Sequence, residues 1–204
     1  IQICRAQGLQ DNECLQGFLS NQFMLFFLLL PLAIPVTIAS YSIVGEKTTR
    51  SLEPLLATPT STTEIILGKG LASALPAVGA TWLSFAIFLF AARFLVVSDR
   101  VYAGITNPMW IVAMLLVAPL LTVMSVMVAI VISSRVNDPR AAEQLGMLVM
   151  LPLLGLFFAQ IFGLIALNLT AMFVLSGIML AVDAGMVALG VKLFQREAIL
   201  TRWK

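Results

Sequence analysis

The sequence predicts an all-α membrane protein: a helical bundle with five transmembrane spans and one short cytoplasmic helix. Of its 204 residues 60% are hydrophobic and 11% charged, whereas a soluble domain carries about 25% charged residues and cannot hide so much apolar surface from water. The apolar residues fall into five runs, each close to or above the roughly 20 residues that a helix needs to cross a bilayer. The charged residues cluster between those runs. Lipid offers no hydrogen-bond partner to the backbone, so runs of this length must pair their own N–H and C=O groups as helices.

The first span is expected over Phe18 to Val44, after a polar extracytoplasmic segment, residues 1–17, and within a transmembrane domain of residues 18–204. Pro31 and Pro35 each delete one of its backbone hydrogen bonds and bend it. The second span covers Ile65 to Ala92, with Pro76 inside it and Trp82 read as a packing residue. The third covers Pro108 to Ser133: Asn107 can cap it, Pro108 fits the first helical position, and Pro119 bends it. The fourth, Leu145 to Leu164 with Pro152, and the fifth, Thr170 to Val191, are separated only by "GLIALNLT", which requires a tight hairpin. In the fifth, Gly177, Ala181 and Gly185 recur every four residues and form a ridge on which another helix can lie closely. Asp183 sits about 13 Å along the helix from Lys192, deep in the bilayer. At 100° per residue it points away from the ridge, toward an internal cavity or transport path, or else it is a protonated or hydrogen-bonded packing residue.

Orientation follows from Lys and Arg. Nine of them (Lys47, Arg50, Lys69, Arg135, Arg140, Lys192, Arg196, Arg202, Lys204) fall on one side, and Arg5, Arg93 and Arg100 on the other, which puts the 45–64 loop and the C-terminus inside the cytoplasm. Tyr102 and Trp110 at outer ends and Tyr41 and Trp203 at inner ends match aromatic belts. An external start without a signal peptide implies an upstream span, so the full subunit is expected to have six.

Several chemistries are excluded. With no histidine in the chain, His-dependent acid–base catalysis and His metal ligation are ruled out. A net charge of +2 without basic runs argues against nucleic acid. An intramembrane enzyme would need paired carboxylates or a Cys/His pair in the spans, and an ion-coupled secondary transporter would need several buried ionisable groups and repeat symmetry. Asp183 alone meets neither requirement.

The polar passage "GEKTTRSLEPLLATPTSTTEIILGK" interrupts the hydrocarbon. Ser51 can cap a short helix, Glu53 suits its positive end, and Pro54 is tolerated in its first turn. Leu52, Leu55 and Leu56 share one face, and Pro59 ends the element. Ser61 and Glu64 then have capping-box spacing, starting a new helix near Thr62. A cytoplasmic helix with a leucine face either lies on the membrane or fits a groove on a soluble partner.

"VGEKTTRSLEPLLATPTSTTEIILGK" and the ending "FQREAILTRWK" resemble the type-2 ATP-binding-cassette permease family, exporters that pair with a separate nucleotide-binding subunit. The resemblance implies a non-catalytic six-span subunit in the plasma (inner) membrane, two permease subunits on two ABC ATPase subunits, and surrounding lipid. It implies no cofactor on this chain, with ATP and Mg in the partner; no "GxxxxGK[ST]" phosphate-binding motif is present. It also implies a coupling helix over Arg50 to Leu56 that sits in a cleft of the ATPase. There Leu52, Leu55 and Leu56 would be the apolar anchors, with Glu46, Lys47, Arg50, Ser51 and Glu53 around them. The spans are mostly Leu, Phe, Met and Val, which suits an amphipathic substrate and equally suits ordinary packing.

Cys4 and Cys14, the two cysteines of the chain, fall in the external segment, where oxidising conditions allow a disulfide. Thiol labelling of the intact protein should therefore modify neither cysteine before reduction and both after it. Labelling of both without reductant would refute the bridge.

Overall fold

The computed structural model describes residues 11–49, 62–165 and 167–193, and among them every regular element is helical. Five helical stretches are long and apolar enough to cross a membrane: Asn12–Glu46, Thr63–Leu95, Asp99–Arg135, Pro139–Ile161 and Leu169–Gly190. The expected all-α bundle is the fold. The first, third and fourth stretches begin several residues earlier than the apolar runs do, because polar helical turns, in the third a separate short helix, precede the hydrocarbon.

The first stretch is two helices, α1 (Asp11–Phe27) and α2 (Leu30–Thr48). Pro31 has no N–H to return to the Phe27 carbonyl, and the chain tightens there: Leu28 and Leu29 donate to the carbonyls of Leu25 and Phe26, at 3.1 and 3.0 Å. One turn later Pro35 removes the partner of the Pro31 carbonyl. Ser125 of α6 (Ala118–Arg135) offers that carbonyl a donor, its hydroxyl lying 3.1 Å from the oxygen and 2.9 Å from the Thr122 carbonyl of its own helix, so that one proton serves two acceptors.

The second stretch, α3 (Thr62–Leu95), starts where the sequence places it, with Glu64 in its first turn; Ser61 lies outside the described residues. Its outward side is lined by Leu71, Leu75, Leu83, Ile87 and Phe90, all exposed. After α3 the chain turns into α4 (Asp99–Ile105). The turn's backbone is satisfied by the Gln16 side chain of α1, which donates to the Leu95 carbonyl at 3.2 Å and accepts from the Val97 N–H at 2.8 Å. Arg93 pairs with Asp99 at 2.8 Å and lies 5.3 Å from the centre of the Tyr102 ring.

Helix α5 (Pro108–Val112) begins as expected, the Asn107 side chain accepting from the Met109 N–H at 2.9 Å. It runs through a π-helical turn, Ala113–Val117, into α6. Pro119 explains the turn. Within it the Ala118 N–H reaches back to the Ala113 carbonyl, and the residue that would serve the Met114 carbonyl in that pattern is Pro119, which has no N–H. The indole N–H of Trp82 on α3 donates to Met114 instead, at 2.8 Å. Trp82, expected to be a packing residue, is instead 43% exposed and acts as a specific donor. Trp110 departs from the aromatic-belt expectation: it is 1% exposed, and its indole N–H donates to Asn21 Oδ1 on α1 at 3.0 Å. A partner inside the bundle removes its reason to sit at the interface.

The fourth stretch joins α7 (Pro139–Gly146), a 3-10 turn (Met147–Met150) and α8 (Leu151–Ile161). The expected hairpin follows. Gly163 adopts φ +70° and the Leu164 N–H returns to the Ala159 carbonyl at 2.8 Å, a glycine-dependent helix stop. Asn168 then caps α9 (Leu169–Leu193), accepting from the Ala171 N–H at 2.7 Å.

At the centre α2 lies along α6, where Val36, Ala39 and Ala129 are buried together; small side chains let the two backbones approach. Helices α3 and α9 flank α6, and α7 packs on α2 near Val36 and Thr37. The main core gathers Met24, Leu28 and Leu32 with Trp110, Met114 and Leu121 and with Met172 and Met179. The ridge on α9 is open among the described residues. Gly177, Ala181 and Gly185 are exposed, and a Cβ built on Gly177 or Gly185 would meet nothing within 4 Å. No helix of the described residues lies on it, because α9 turns inward the face carrying Met172, Ser176, Met179 and Asp183.

If Ser125 replaces the donor lost at Pro35, Ser125→Ala should cost about 1–2 kcal/mol. In a Pro35→Ala background, where the backbone N–H returns, the same change should cost close to nothing. Unfolding in mild detergent of the two single variants and the double variant measures this; equal costs in both backgrounds would refute the assignment.

Candidate functional site

The polar passage is held between two helix ends. Helix α2 stops at Thr48, where the Gly45 carbonyl accepts the Thr49 N–H at 3.0 Å and the hydroxyls of Thr48 and Thr49 each also donate to it at 2.9 Å. Helix α3 resumes at Thr62. Between the two stems, Glu46 on α2 forms an ion pair with Lys69 on α3, both side chains only partly exposed. The pair joins the last turn of α2 to the second turn of α3. Of the residues expected to contact a partner, Glu46 is engaged within the chain. Lys47 lies in α2, and its side chain is among those not described. Arg50, Ser51, Leu52, Glu53, Leu55 and Leu56 lie outside the described residues.

Helix α7 packs against the middle of α2. Asp138 caps it, accepting from the N–H groups of Arg140 and Ala141 at 3.3 and 3.4 Å, with Pro139 at its first position. Its Glu143 accepts a hydrogen bond from the Thr37 hydroxyl of α2 at 2.7 Å. At its end Gly146 lets the two helices close up: a Cβ there would come within 2.6 Å of Val36 Cγ1. The sequence reading missed this element, although "NDP" before "RAAE" carries the same cap-then-proline signature as "TNP" before "MWIV". Helix α2 is thus packed against α3, α6 and α7.

Deeper in the bundle, Asp183 is 4% exposed and neither carboxylate oxygen has a hydrogen-bond partner among the described residues. It lies on the buried face of α9, opposite the glycine ridge. Near the other end, Glu13, Asn21, Arg100 and Trp110 line a cavity of about 420 Å³ between α1 and α4. Cys14 is at its edge and is disulfide-bonded; Cys4 lies outside the described residues. Groups of three or more acidic, cysteine or histidine side chains able to hold a metal are absent among the described residues.

A bundle of apolar spans whose polar features are a pinned inter-span segment and one buried carboxylate defines a multi-pass α-helical membrane protein. This chain belongs to the ABC-2 transporter family: the family model described as ABC-2 family transporter protein matches residues 6–183. It is therefore the permease component of an ABC transporter, a transport component without catalysis of its own. No curated protein and no solved structure matches the chain.

The close approach of α7 to α2 can be tested at Gly146. Gly146→Ala should destabilise the protein by about 1–3 kcal/mol through overpacking against the stiff Val36 side chain. Adding Val36→Ala should recover most of that loss. A thermal shift in detergent reads both, and a harmless Gly146→Ala would contradict the packing.

Proposed function

We propose that this chain moves an amphipathic substrate outward, driven by ATP that a separate ABC ATPase subunit binds with Mg and hydrolyses. Two copies of the permease, or this chain and a second permease, assemble on two ATPase subunits in the plasma (inner) membrane. Residues 1–17 and the turn between α3 and α4 face outside, and segment 45–64 and the C-terminus face the cytoplasm. Segment 50–56 is the coupling helix: Leu52, Leu55 and Leu56 fill an apolar groove of the ATPase, and Lys47, Arg50, Ser51 and Glu53 contribute polar contacts around it.

The observation that carries this reading is the build of α2. A segment that merely rested on lipid would have no need of stems locked to each other by Glu46 and Lys69. Nor would it need to continue into a helix packed along the buried α6 and braced at Thr37 and Val36 by α7. A lever needs a stiff arm. Docking energy and nucleotide-dependent movement at the segment would enter α2 as a push or pull, and α2 would pass it to α6 along their shared face. Energetically the partner can shift the bundle between two arrangements only by as much as it prefers one of them. Firm anchoring of the segment is therefore part of the mechanism.

Leu55→Ala should weaken association with the ATPase by about 30-fold, the effect of losing roughly 2 kcal/mol at a buried anchor. Lys47→Ala should alter salt sensitivity more than affinity. Copurification of the ATPase, followed by transport-coupled ATPase activity, is measured for Leu52, Leu55 and Leu56 variants that retain wild-type thermal stability. Wild-type binding and coupling in all three would overturn the assignment.

A further inference from the structure

We propose that the apolar cavity enclosed by α1, α2, α6, α8 and α9, together with Asp183 one turn beyond it, is a binding site for an amphipathic cation. The hydrocarbon part occupies the cavity and the ammonium head pairs with the Asp183 carboxylate. The cavity measures about 180 Å³ and all of its lining residues are apolar, among them Leu28, Leu32, Leu121, Leu153, Met172 and Met179. Water has nothing to bond there. Apolar cavities of about 150 Å³ stay dry and accept small apolar ligands. An empty one forfeits the dispersion contacts that its walls would otherwise make, so a hydrocarbon segment is the occupant that fits both the lining and the surrounding solvent.

The position of α8 makes the space accessible. Its backbone meets α1 through a few residues, and the Phe26–Phe157 ring contact, 4.9 Å between centroids, lies beside the cavity's wall. Leu153 is buried against the core, while Leu151, Pro152 and Phe158 of the same helix are exposed. The cavity therefore lies one helix from lipid.

Asp183 fixes the charge of the ligand. Met179 lines the cavity, and Asp183 follows it four residues on along the same buried face, about 6 Å further along the helix. Beyond it Met186 and Val187 pack against Ile66, Val126, Met127 and Ile130, so the carboxylate sits between two apolar clusters without a hydrogen-bond partner among the described residues. A neutral alkyl ligand would leave it unpaired, which is costly in this environment. A metal ion would want several oxygen ligands, and one carboxylate is what the face supplies. An ammonium carrying an alkyl chain satisfies both halves. This deepens the permease reading by naming a substrate class, and it rests on that reading only for the step from bound ligand to cargo.

The test uses the full-length protein in phosphatidylcholine nanodiscs, with empty nanodiscs subtracted. The probes are dodecyltrimethylammonium, dodecanol and tetramethylammonium, and binding is read by quenching of tryptophan fluorescence or by calorimetry. The ammonium should bind about tenfold more tightly than the alcohol, the scale of one charge-assisted contact in a desolvated site, and the chainless cation should not bind. Asp183→Asn should abolish that preference while leaving dodecanol binding intact, which also shows that the variant is folded. Leu121→Trp, which fills the cavity, should weaken both alkyl ligands in a protein of unchanged thermal stability. Equal affinity of the wild type for the two alkyl probes, or an unchanged preference in Asp183→Asn, would overturn the proposal. Phosphatidylethanolamine added to the discs separates the sources of the ligand: displacement of the probe assigns the site to a membrane lipid, and retention assigns it to a transported molecule. None of these measurements involves the ATPase, so their failure would leave the coupling reading to be judged by copurification alone.

Discussion

Hydrocarbon cannot hydrogen-bond, and the consequences of that one constraint organise this bundle. Each proline inside a span frees a carbonyl that lipid will not satisfy. At Pro31 the chain shifts to shorter bonds and splits one span into α1 and α2. At Pro35 and Pro119 the solution comes from a neighbouring helix, through the Ser125 hydroxyl and the Trp82 indole. The two donors join α6 to α2 and α3 to the turn leading into α6. Helix irregularity and helix association are thus the same feature seen from two sides: the bend creates an acceptor, and the acceptor fixes which residue must lie across from it.

Those fixed crossings give α2 its mechanical character. It is held lengthwise by α6, at its end by the ion pair to α3, and laterally by α7 through Glu143 and the close contact at Gly146. Helices α8 and α9 are arranged differently. The outward face of α9 is open along Gly177, Ala181 and Gly185, and α8 touches the core through Leu153 while forming one wall of a cavity. The bundle therefore has a braced half, which continues into the polar segment, and a looser half, which contains the buried carboxylate.

Much of this architecture was legible in the sequence. Spans were visible because charge is excluded from them, and the Asn107–Pro108 start and the start of α3 near Thr62 follow from cap and proline chemistry that acts within a few residues. What was not legible depends on partners distant in the chain. That Ser125 would serve Pro31, or Trp82 would serve Met114, is decided by which helices become neighbours, and hydropathy carries no record of that. Trp110 misled for the same reason: an indole belongs at the interface only if no acceptor waits inside, and Asn21 does. The ridge on α9 showed where a helix could approach but not whether one would. Asp183 was readable as buried and opposite the ridge from helical periodicity alone, while the cavity beside it became visible only once four spans were brought together.

The length of α3 sets a last condition. Its 34 residues extend about 51 Å at 1.5 Å per residue, against a hydrocarbon core of about 30 Å. Even with polar ends reaching past the headgroups, so long a rod must lean, and the lean it needs grows as the bilayer thins. Lys69 rides near one end of that rod, paired to α2. Membrane thickness therefore enters the energetics of the Glu46–Lys69 pair: a thinner or thicker bilayer changes the load on that joint, and lipid composition becomes a variable in how firmly it is set.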